Sequence, residues 1–470
     1  MFLIPEEIRN ALNQNESFVF LVKGKAGTGK TTLALEILGV MKNPLYISTR
    51  ITPKLLYKHF SWVKNALPEE SIIDATTFDL DQILSAEMEP EFLKSIQLQS
   101  FPDFVRVLFS KINSAQTGTL VIDSWNAIAT LGETNWGKSN DLLANYILEL
   151  IRQKNFNLII VEETEQETYL DYLVDGIVTL YKKFVEDGRP IRQLQLNKLR
   201  GSPIIYPIYL FTLDKGRFST MLPTPIHDIF PSDKIQTIEN QQNRFSTGIL
   251  DLDNVIDGGF IPGTATLNEV HPYLGRIHAY ILLRMVFQFL KQNRCVLAIP
   301  PPGKSYSDLV EFIQKVVGDA NFKRGFRYAI AEQDLELPPN TVRITPSTPK
   351  EFFNTVLKLF ADFKTSSPKD PNLLIVTVES IPFQSDLNEL IKELRIFVNR
   401  MKKTNHILIF TTYTGNPLIQ TIKNEVFNHL FLTEITGKVV IYPKNRLTNL
   451  FALNFKNPEN EYRIDLIPLV

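Results

Sequence analysis

The stretch Phe18-Val19-Phe20-Leu21-Val22-Lys23-Gly24-Lys25-Ala26-Gly27-Thr28-Gly29-Lys30-Thr31-Thr32 decides how the rest of the chain is read. An apolar segment of strand composition runs into a complete G-x-x-x-x-G-K-[ST] motif, Gly24 to Thr31, and a segment of helical period follows. Glycines let successive backbone N–H groups converge on phosphate oxygens, and a helix starting at Lys30 aims its positive end at the same anion. In that arrangement Gly24, Lys25, Ala26, Gly27, Thr28, Gly29 and Thr32 belong to the cradle. Lys30 reaches the β- and γ-phosphates as a catalytic cation, and the Thr31 hydroxyl ligates Mg²⁺. A chance Gly-rich turn would not carry both the preceding strand and the following helix.

A phosphate loop of this kind needs a second carboxylate on the metal side, at the end of a buried strand. Leu120-Val121-Ile122-Asp123-Ser124 supplies it, and Asp123 is the expected partner of Thr31. The plainer role for Asp123 is a helix N-cap. Around these two points, short β-branched runs at 18–23, 44–49, 71–76, 119–124 and 157–163 alternate with helical segments, among them 53–67, 103–115 and 141–155. Strands that are apolar throughout belong in a parallel sheet covered on both faces, so the expected class is α/β. After about residue 174 the pattern changes to consecutive strands, which predicts antiparallel hairpins added to the sheet edge.

Residues 221–243 hold three prolines and no sustained period, and are expected to link two domains, 1–220 and 244–470. The second half repeats the order of elements: strand at 265–270, helix across 275–292, strand at 295–300, helix at 305–317, then TVRITP, a helix, NLLIVTVES, a helix, HILIFTTYTG and a run of terminal strands. This predicts two copies of one fold, about 220 residues each. In the second copy the phosphate-loop position reads Val270-His271-Pro272-Tyr273-Leu274-Gly275-Arg276-Ile277, without the first glycine, the lysine or the hydroxyl, and Glu379 stands at the second carboxylate position. That half is expected to be degenerate. Pro300-Pro301-Pro302-Gly303-Lys304-Ser305 reads as a rigid turn, because proline offers no N–H to phosphate.

The 470 residues include 50 Lys and Arg against 51 Asp and Glu, a net charge of −1, with 44% hydrophobic and 21% charged residues. This composition excludes a disordered chain and weighs against a dedicated nucleic-acid binder. Phe322-Lys323-Arg324-Gly325-Phe326-Arg327-Tyr328 does interleave cations with aromatics, as a surface for single strands would, but it also reads as an edge strand. A single cysteine, Cys295, excludes an intramolecular disulfide and is expected to be a buried structural thiol. No apolar run approaches the roughly 20 residues of a membrane span, so a cytoplasmic protein without membrane contact is expected. The histidines, His59, His227 and His271 among them, show no metal-ligand spacing.

GKAGTGKTT, the TLVIDS strand, Lys198-Leu199-Arg200-Gly201 and the second-half opening Ser246-Thr247-Gly248-Ile249-Leu250-Asp251-Leu252-Asp253 with Gly258-Gly259 together resemble the RecA superfamily. Within it the chain is most similar to the KaiC-like and GvpD-like branch, and YISTRITP at 46–53 followed by LPEE at 67–70 leans toward GvpD. The resemblance implies two tandem RecA-like P-loop domains, ATP with Mg²⁺ as cofactor, a homo-oligomer such as a ring, a regulatory role and a protein partner. It also implies that Lys198 and Arg200 reach into a neighbouring subunit's nucleotide site. One feature of the branch is missing: the paired glutamates that polarise the attacking water are replaced by Arg50 and Ile51. Glu162 and Glu163, at the exit of the next strand, could face the γ-phosphate side instead, although a charged strand exit is their plainer role. Hydrolysis is therefore expected to be slow, or replaced by a nucleotide-gated switch. Two further readings are a DNA-repair accessory and a non-catalytic scaffold with structural ATP.

Overall fold

A computed structural model describes residues 4–14, 16–75, 108, 110–113, 117–129, 140–225, 235–302, 307–330, 339–364, 369–382, 387–456 and 463–470. The chain divides into two compact units, Met1–Leu222 with Leu469–Val470, and Pro223–Pro468. The helix expected at 103–115 lies mostly outside the described residues, as do Gly303-Lys304-Ser305, His227 and part of the expected linker.

In the first unit the strands are β1 (Val19–Gly24), β2 (Pro44–Ser48), β3 (Ile72–Asp74), β4 (Gly118–Asp123), β5 (Phe156–Glu162), β6 (Gly176–Phe184), β7 (Pro190–Leu199), β8 (Ile208–Thr212) and β9 (Ser219–Met221). Among the described residues they form one nine-stranded sheet in the order β3-β2-β4-β5-β1-β6-β7-β8-β9. The pairs from β3 to β6 are parallel. The remaining pairs are antiparallel. The expected α/β class with antiparallel additions is therefore what the chain adopts.

Val19 to Val22 are fully buried, and the period of two sends alternate residues to opposite faces. Phe20 and Val22 pack with Leu33, Ile37 and Phe211, while Val19 and Leu21 pack with Ile122, Ile160 and Ile151. This double burial is why β1 reads as apolar throughout. The register is parallel and unbroken through the centre, with Ser48 opposite Asp123 and Lys23 opposite Glu162. The ends of β1, β2, β4 and β5 therefore meet on one edge of the sheet, where the functional loops emerge.

The second unit repeats this plan with β10 (Ala265–Val270), β11 (Val296–Ile299), β12 (Phe326–Ile330), β13 (Thr341–Arg343), β14 (Leu373–Thr377), β15 (Ile407–Tyr413), β16 (Asn428–Ile435), β17 (Lys438–Pro443), β18 (Leu450–Lys456) and β19 (Arg463–Leu469). Their order is β13-β12-β11-β14-β15-β10-β16-β17-β18-β19. Among the described residues, and leaving out β13 at the outer edge, the strand order counted from the first strand of each unit is the same. The motif at 246–253 is a clasp: Asp253 accepts from the Thr247 N–H at 2.7 Å and the Thr247 hydroxyl at 2.6 Å. Residues 235–240 lie along the helix Gly275–Lys291, where Ile238 exchanges hydrogen bonds with Gln288.

Two local expectations are corrected. The helix expected across 53–67 is interrupted at Phe60 (φ −128°, ψ 70°), giving Pro53–His59 and a 3-10 turn at Ser61–Asn65. The basic and aromatic run at 322–328 is neither an edge strand nor a stacking surface. It ends the helix Asp319–Gly325 and opens β12, which has a neighbour on each side. Phe322 and Phe326 are core residues stacked at 5.5 Å, so their rings are not offered to bases. Cys295 is buried, as expected. No described helix is long and apolar enough to cross a membrane.

Candidate functional site

β1 delivers the chain to Gly24, where φ is +148° and an added Cβ would lie 2.6 Å from the Leu180 carbonyl oxygen. No side chain fits there, so the first glycine of the motif is required by packing as well as by conformation. The loop then returns through Gly29, whose φ of 104° makes it a left-handed N-cap for the helix Lys30–Leu38. No side chain caps this helix. Its first-turn N–H groups have no intrahelical acceptors, and the terminus carries partial positive charge, so the geometry favours an anion.

Lys30 is buried, and its Nζ donates to the Lys25 carbonyl oxygen at 2.8 Å. Thr28 braces the loop by donating to the same carbonyl at 2.8 Å. Burial lowers the Lys30 pKa, while Glu163 and Asp123 act against that shift. Asp123 closes the site from the end of β4. Its Oδ2 accepts from the Thr31 hydroxyl at 2.6 Å and from the Tyr46 hydroxyl at 2.8 Å. Burial raises the Asp123 carboxyl above its ordinary range, opposed by these two hydrogen bonds and by Lys30. Thr49 ties β2 to β4, accepting the Ser124 N–H at 2.9 Å and donating to the Asp123 carbonyl at 3.0 Å. Thr31 and Asp123 thus present a hydroxyl and a carboxylate side by side next to an uncapped helix terminus. Such hard oxygen donors suit Mg²⁺, whose other ligands are typically water and phosphate oxygens.

Glu162 and Glu163 diverge. Glu163 forms a bidentate pair with Arg50 at 2.5 and 2.9 Å, and its N–H donates to Asn126 Oδ1 at 2.7 Å. Its charge also opposes the lowering of the Lys30 pKa by burial. Glu162 instead accepts the Thr168 hydroxyl at 3.1 Å in a buried cluster with Lys23 and Asp171, where burial raises its pKa.

Lys198 and Arg200 are not brought to the phosphate loop of their own chain. β7 runs against β6, so Arg192 lies opposite Lys182 at the loop end, whereas Lys198 lies opposite Ile177, itself opposite Leu21. Lys198 Nζ donates to the Asp171 carbonyl at 2.9 Å, and the exposed Arg200 pairs with Asp175 at 2.8 Å. From β7 it is Arg192 that reaches the loop, its Nη1 donating to the Gly27 carbonyl at 2.9 Å. Sequence reasoning missed Arg192, Tyr46 and Lys23. For Arg192 a signal existed: counting outward from the 186–190 turn places it two residues into the returning strand.

In the second unit the corresponding position forms a 3-10 turn, Pro272–Leu274, and the helix begins at Gly275. Ile277 is fully buried in the core. Glu379 stands just after β14, and its Oε1 accepts from the Thr412 hydroxyl at 2.7 Å and the Tyr413 N–H at 2.9 Å. Pro272 has no N–H to offer, so this turn is not a phosphate cradle.

Residues 8–197 match the family described as GvpD gas vesicle protein, P-loop domain. The chain is similar to Protein GvpD2 of Halobacterium salinarum, 27% identical over 96% of this chain and 93% of that protein. It is also similar to Protein GvpD1 of the same organism, 29% identical over 67% of this chain and 60% of that one. The circadian clock oscillator protein KaiC of Nostoc is 24% identical over 59% of this chain and 51% of its own length. These likenesses support a regulatory nucleotide-binding protein. Residues 8–197 match a GvpD-type P-loop domain, and the chain's likeness to GvpD and KaiC proteins is consistent with a P-loop protein of the KaiC-like and GvpD-like branch of the RecA superfamily.

Proposed function

We propose that the first unit binds Mg-ATP and that its occupancy controls assembly or partner binding, with hydrolysis slow or absent. The observation that carries the binding step is the Thr31–Asp123 contact of 2.6 Å beside the uncapped helix at Lys30. When bound, Mg²⁺ would be held by Thr31 and Asp123 and would neutralise phosphate charge. Lys30 would exchange the Lys25 carbonyl for a phosphate oxygen. Lys25, Ala26, Gly27, Thr28 and Gly29 would supply N–H groups, with Gly24 and Thr32 at the flanks.

Burial disfavours the charged form of Asp123, and that penalty grows as pH rises through the raised carboxyl value. Asp123→Asn is therefore expected to melt at or above wild type without ligand, and to lose the extra stabilisation that Mg²⁺ adds to ATP. Melting curves with ATP, with and without Mg²⁺, check this. A variant that melts well below wild type without ligand contradicts it.

The Arg50–Glu163 pair supports slow hydrolysis, because the guanidinium neutralises the carboxylate best placed to polarise water. Turnover is expected below about 1 s⁻¹, the low end of ordinary enzymes. Arg50→Ala should raise it, and adding Glu163→Gln should cancel the gain. Release of phosphate at a robust rate by wild type, or no response to Arg50→Ala, counts against this role for Glu163.

The placement of Lys198 and Arg200 away from their own phosphate loop supports action on a neighbour's nucleotide. Mass in solution with and without Mg-ATP tests the assembly step. A nucleotide-dependent oligomer that Arg200→Ala abolishes is expected, and a monomer under every condition overturns it.

A further inference from the structure

Arg192 touches the phosphate loop from β7, and the alternation of the strand puts it there. Leu194 and Leu196 share a core cluster with Leu33 and Ile37 of the helix after the loop, so the period of two sends Arg192 to that face as well. Antiparallel pairing sets Arg192 opposite Lys182 of β6 and Phe211 of β8. Lys182 lies two residues beyond Leu180, the partner of Gly24 where β1 ends, so Arg192 stands past the sheet edge from which the loop emerges.

The guanidinium is half-buried and held at both ends. Nη1 donates to the Gly27 carbonyl at 2.9 Å, and Nε donates to the Val470 carbonyl at 2.8 Å. Val470, part of the first unit, is itself fixed in place. Its N–H donates to the Thr212 hydroxyl at 3.3 Å, and its carbonyl also accepts the Leu213 N–H at 3.4 Å. Burial works against the charged guanidinium, and the two carbonyl oxygens offset that cost.

An added Cβ at Gly27 would meet nothing within 4 Å among the described residues, so packing does not fix this part of the loop and hydrogen bonds must. The Gly27–Thr28 peptide is planar and trans, so its N–H points away from the carbonyl that Arg192 holds. That N–H faces the Lys25 carbonyl at 3.4 Å, a long contact. The same oxygen accepts the Thr28 hydroxyl and the Lys30 ammonium, each at 2.8 Å. Three donors of the loop thus converge on one oxygen, as donors in an anion site do.

We infer that Arg192 is a positioning residue for the phosphate loop: by holding the Gly27 carbonyl outward, it aims the Thr28 N–H inward at the anion. This rests on the nucleotide site proposed above and adds that one loop peptide is oriented from β7, by a side chain that does not itself touch the nucleotide. A peptide turned toward its ligand beforehand needs no ordering during binding, so loss of the guanidinium should appear as lost affinity.

The test uses the full chain, with Mg-ATP and inorganic tripolyphosphate as calorimetric probes and amide hydrogen exchange of the segment 24–32 without ligand. Arg192→Met keeps an apolar stem and removes the donors. It is expected to weaken both probes by one factor, about tenfold, and to speed exchange in the empty loop. Arg192→Lys, whose ammonium can still reach a carbonyl, should recover part of both losses. Should Arg192→Met fail to fold, Arg192→Gln takes its place, with the same direction expected. Weakening of Mg-ATP alone would put Arg192 on the nucleoside, and unchanged exchange in the empty loop would make it a direct phosphate contact; either overturns the inference, as does wild-type affinity in Arg192→Met. A wild-type chain that binds neither probe is a separate result, since it removes the nucleotide site and takes the inference with it.

Discussion

Lys30→Ala is expected to remove nearly all of the thermal stabilisation that Mg-ATP gives the wild-type chain. A ligand held at about 100 times its Kd stabilises the folded state by about 2.7 kcal/mol, which for a unit of this size is about 5–10 °C in Tm. A variant that binds about 100-fold more weakly keeps only about 0.4 kcal/mol of that under the same conditions. Without ligand the expectation is different, because burial disfavours the Lys30 ammonium. A base whose folded pKa is depressed makes the unfolded chain the better proton binder, so stability rises as pH climbs through the depressed value. Wild type should show that rise in the alkaline range and Lys30→Ala should not, while the two remain close in Tm near neutral pH. Differential scanning calorimetry with and without Mg-ATP reads both effects. A Lys30→Ala protein that keeps the full nucleotide response would remove the phosphate loop from the proposed function.

Much of the first unit was legible because its signals are local or follow from a template. The fully apolar runs of β1, β4 and β5 could only be central parallel strands, and the motif from Gly24 to Thr31 carries its own geometry. The meeting of Thr31 with Asp123, 92 residues apart, was foreseeable only because a phosphate loop demands a metal-side carboxylate. What stayed hidden depends on which strands are neighbours. Arg50 read as a lost glutamate and Glu163 as a candidate base, yet they neutralise each other because β4 alone separates β2 from β5. Tyr46 looked like one more apolar strand residue, but its hydroxyl reaches the carboxylate at the end of the adjoining strand. The run at 322–328 misled because composition records cations and rings without recording that Phe322 and Phe326 face the core.

Lys23→Ala is expected to destabilise the first unit by about 3–5 kcal/mol, the cost of leaving buried charges without their partner. Lys23 is 2% exposed at the end of an otherwise apolar strand. Its Nζ donates to Asp171 Oδ1 and Oδ2 at 2.7 and 2.9 Å and to the Gln166 carbonyl at 2.5 Å. Thr168 joins the group, its hydroxyl within 3.0 Å of Asp171 Oδ1 and 3.1 Å of Glu162 Oε2. Taking out the ammonium leaves two carboxylates facing each other in the protein, and burial already holds Glu162 above its usual range. Glu162 would then bind a proton more tightly folded than unfolded, so the deficit should shrink as pH falls toward the carboxylate range. Removing both charges together is the control: Lys23→Met with Asp171→Asn should recover much of the loss, because an uncharged pair carries no such penalty. Urea titration of the transition that responds to Mg-ATP measures all three proteins. A loss under about 1 kcal/mol, the scale of an exposed pair, or a deficit that deepens in acid would show that the cluster does not hold β1 to the segment after β5. Since Gly24 follows Lys23 directly, the same cluster sets where the phosphate loop leaves the sheet, and its failure should weaken nucleotide binding along with stability.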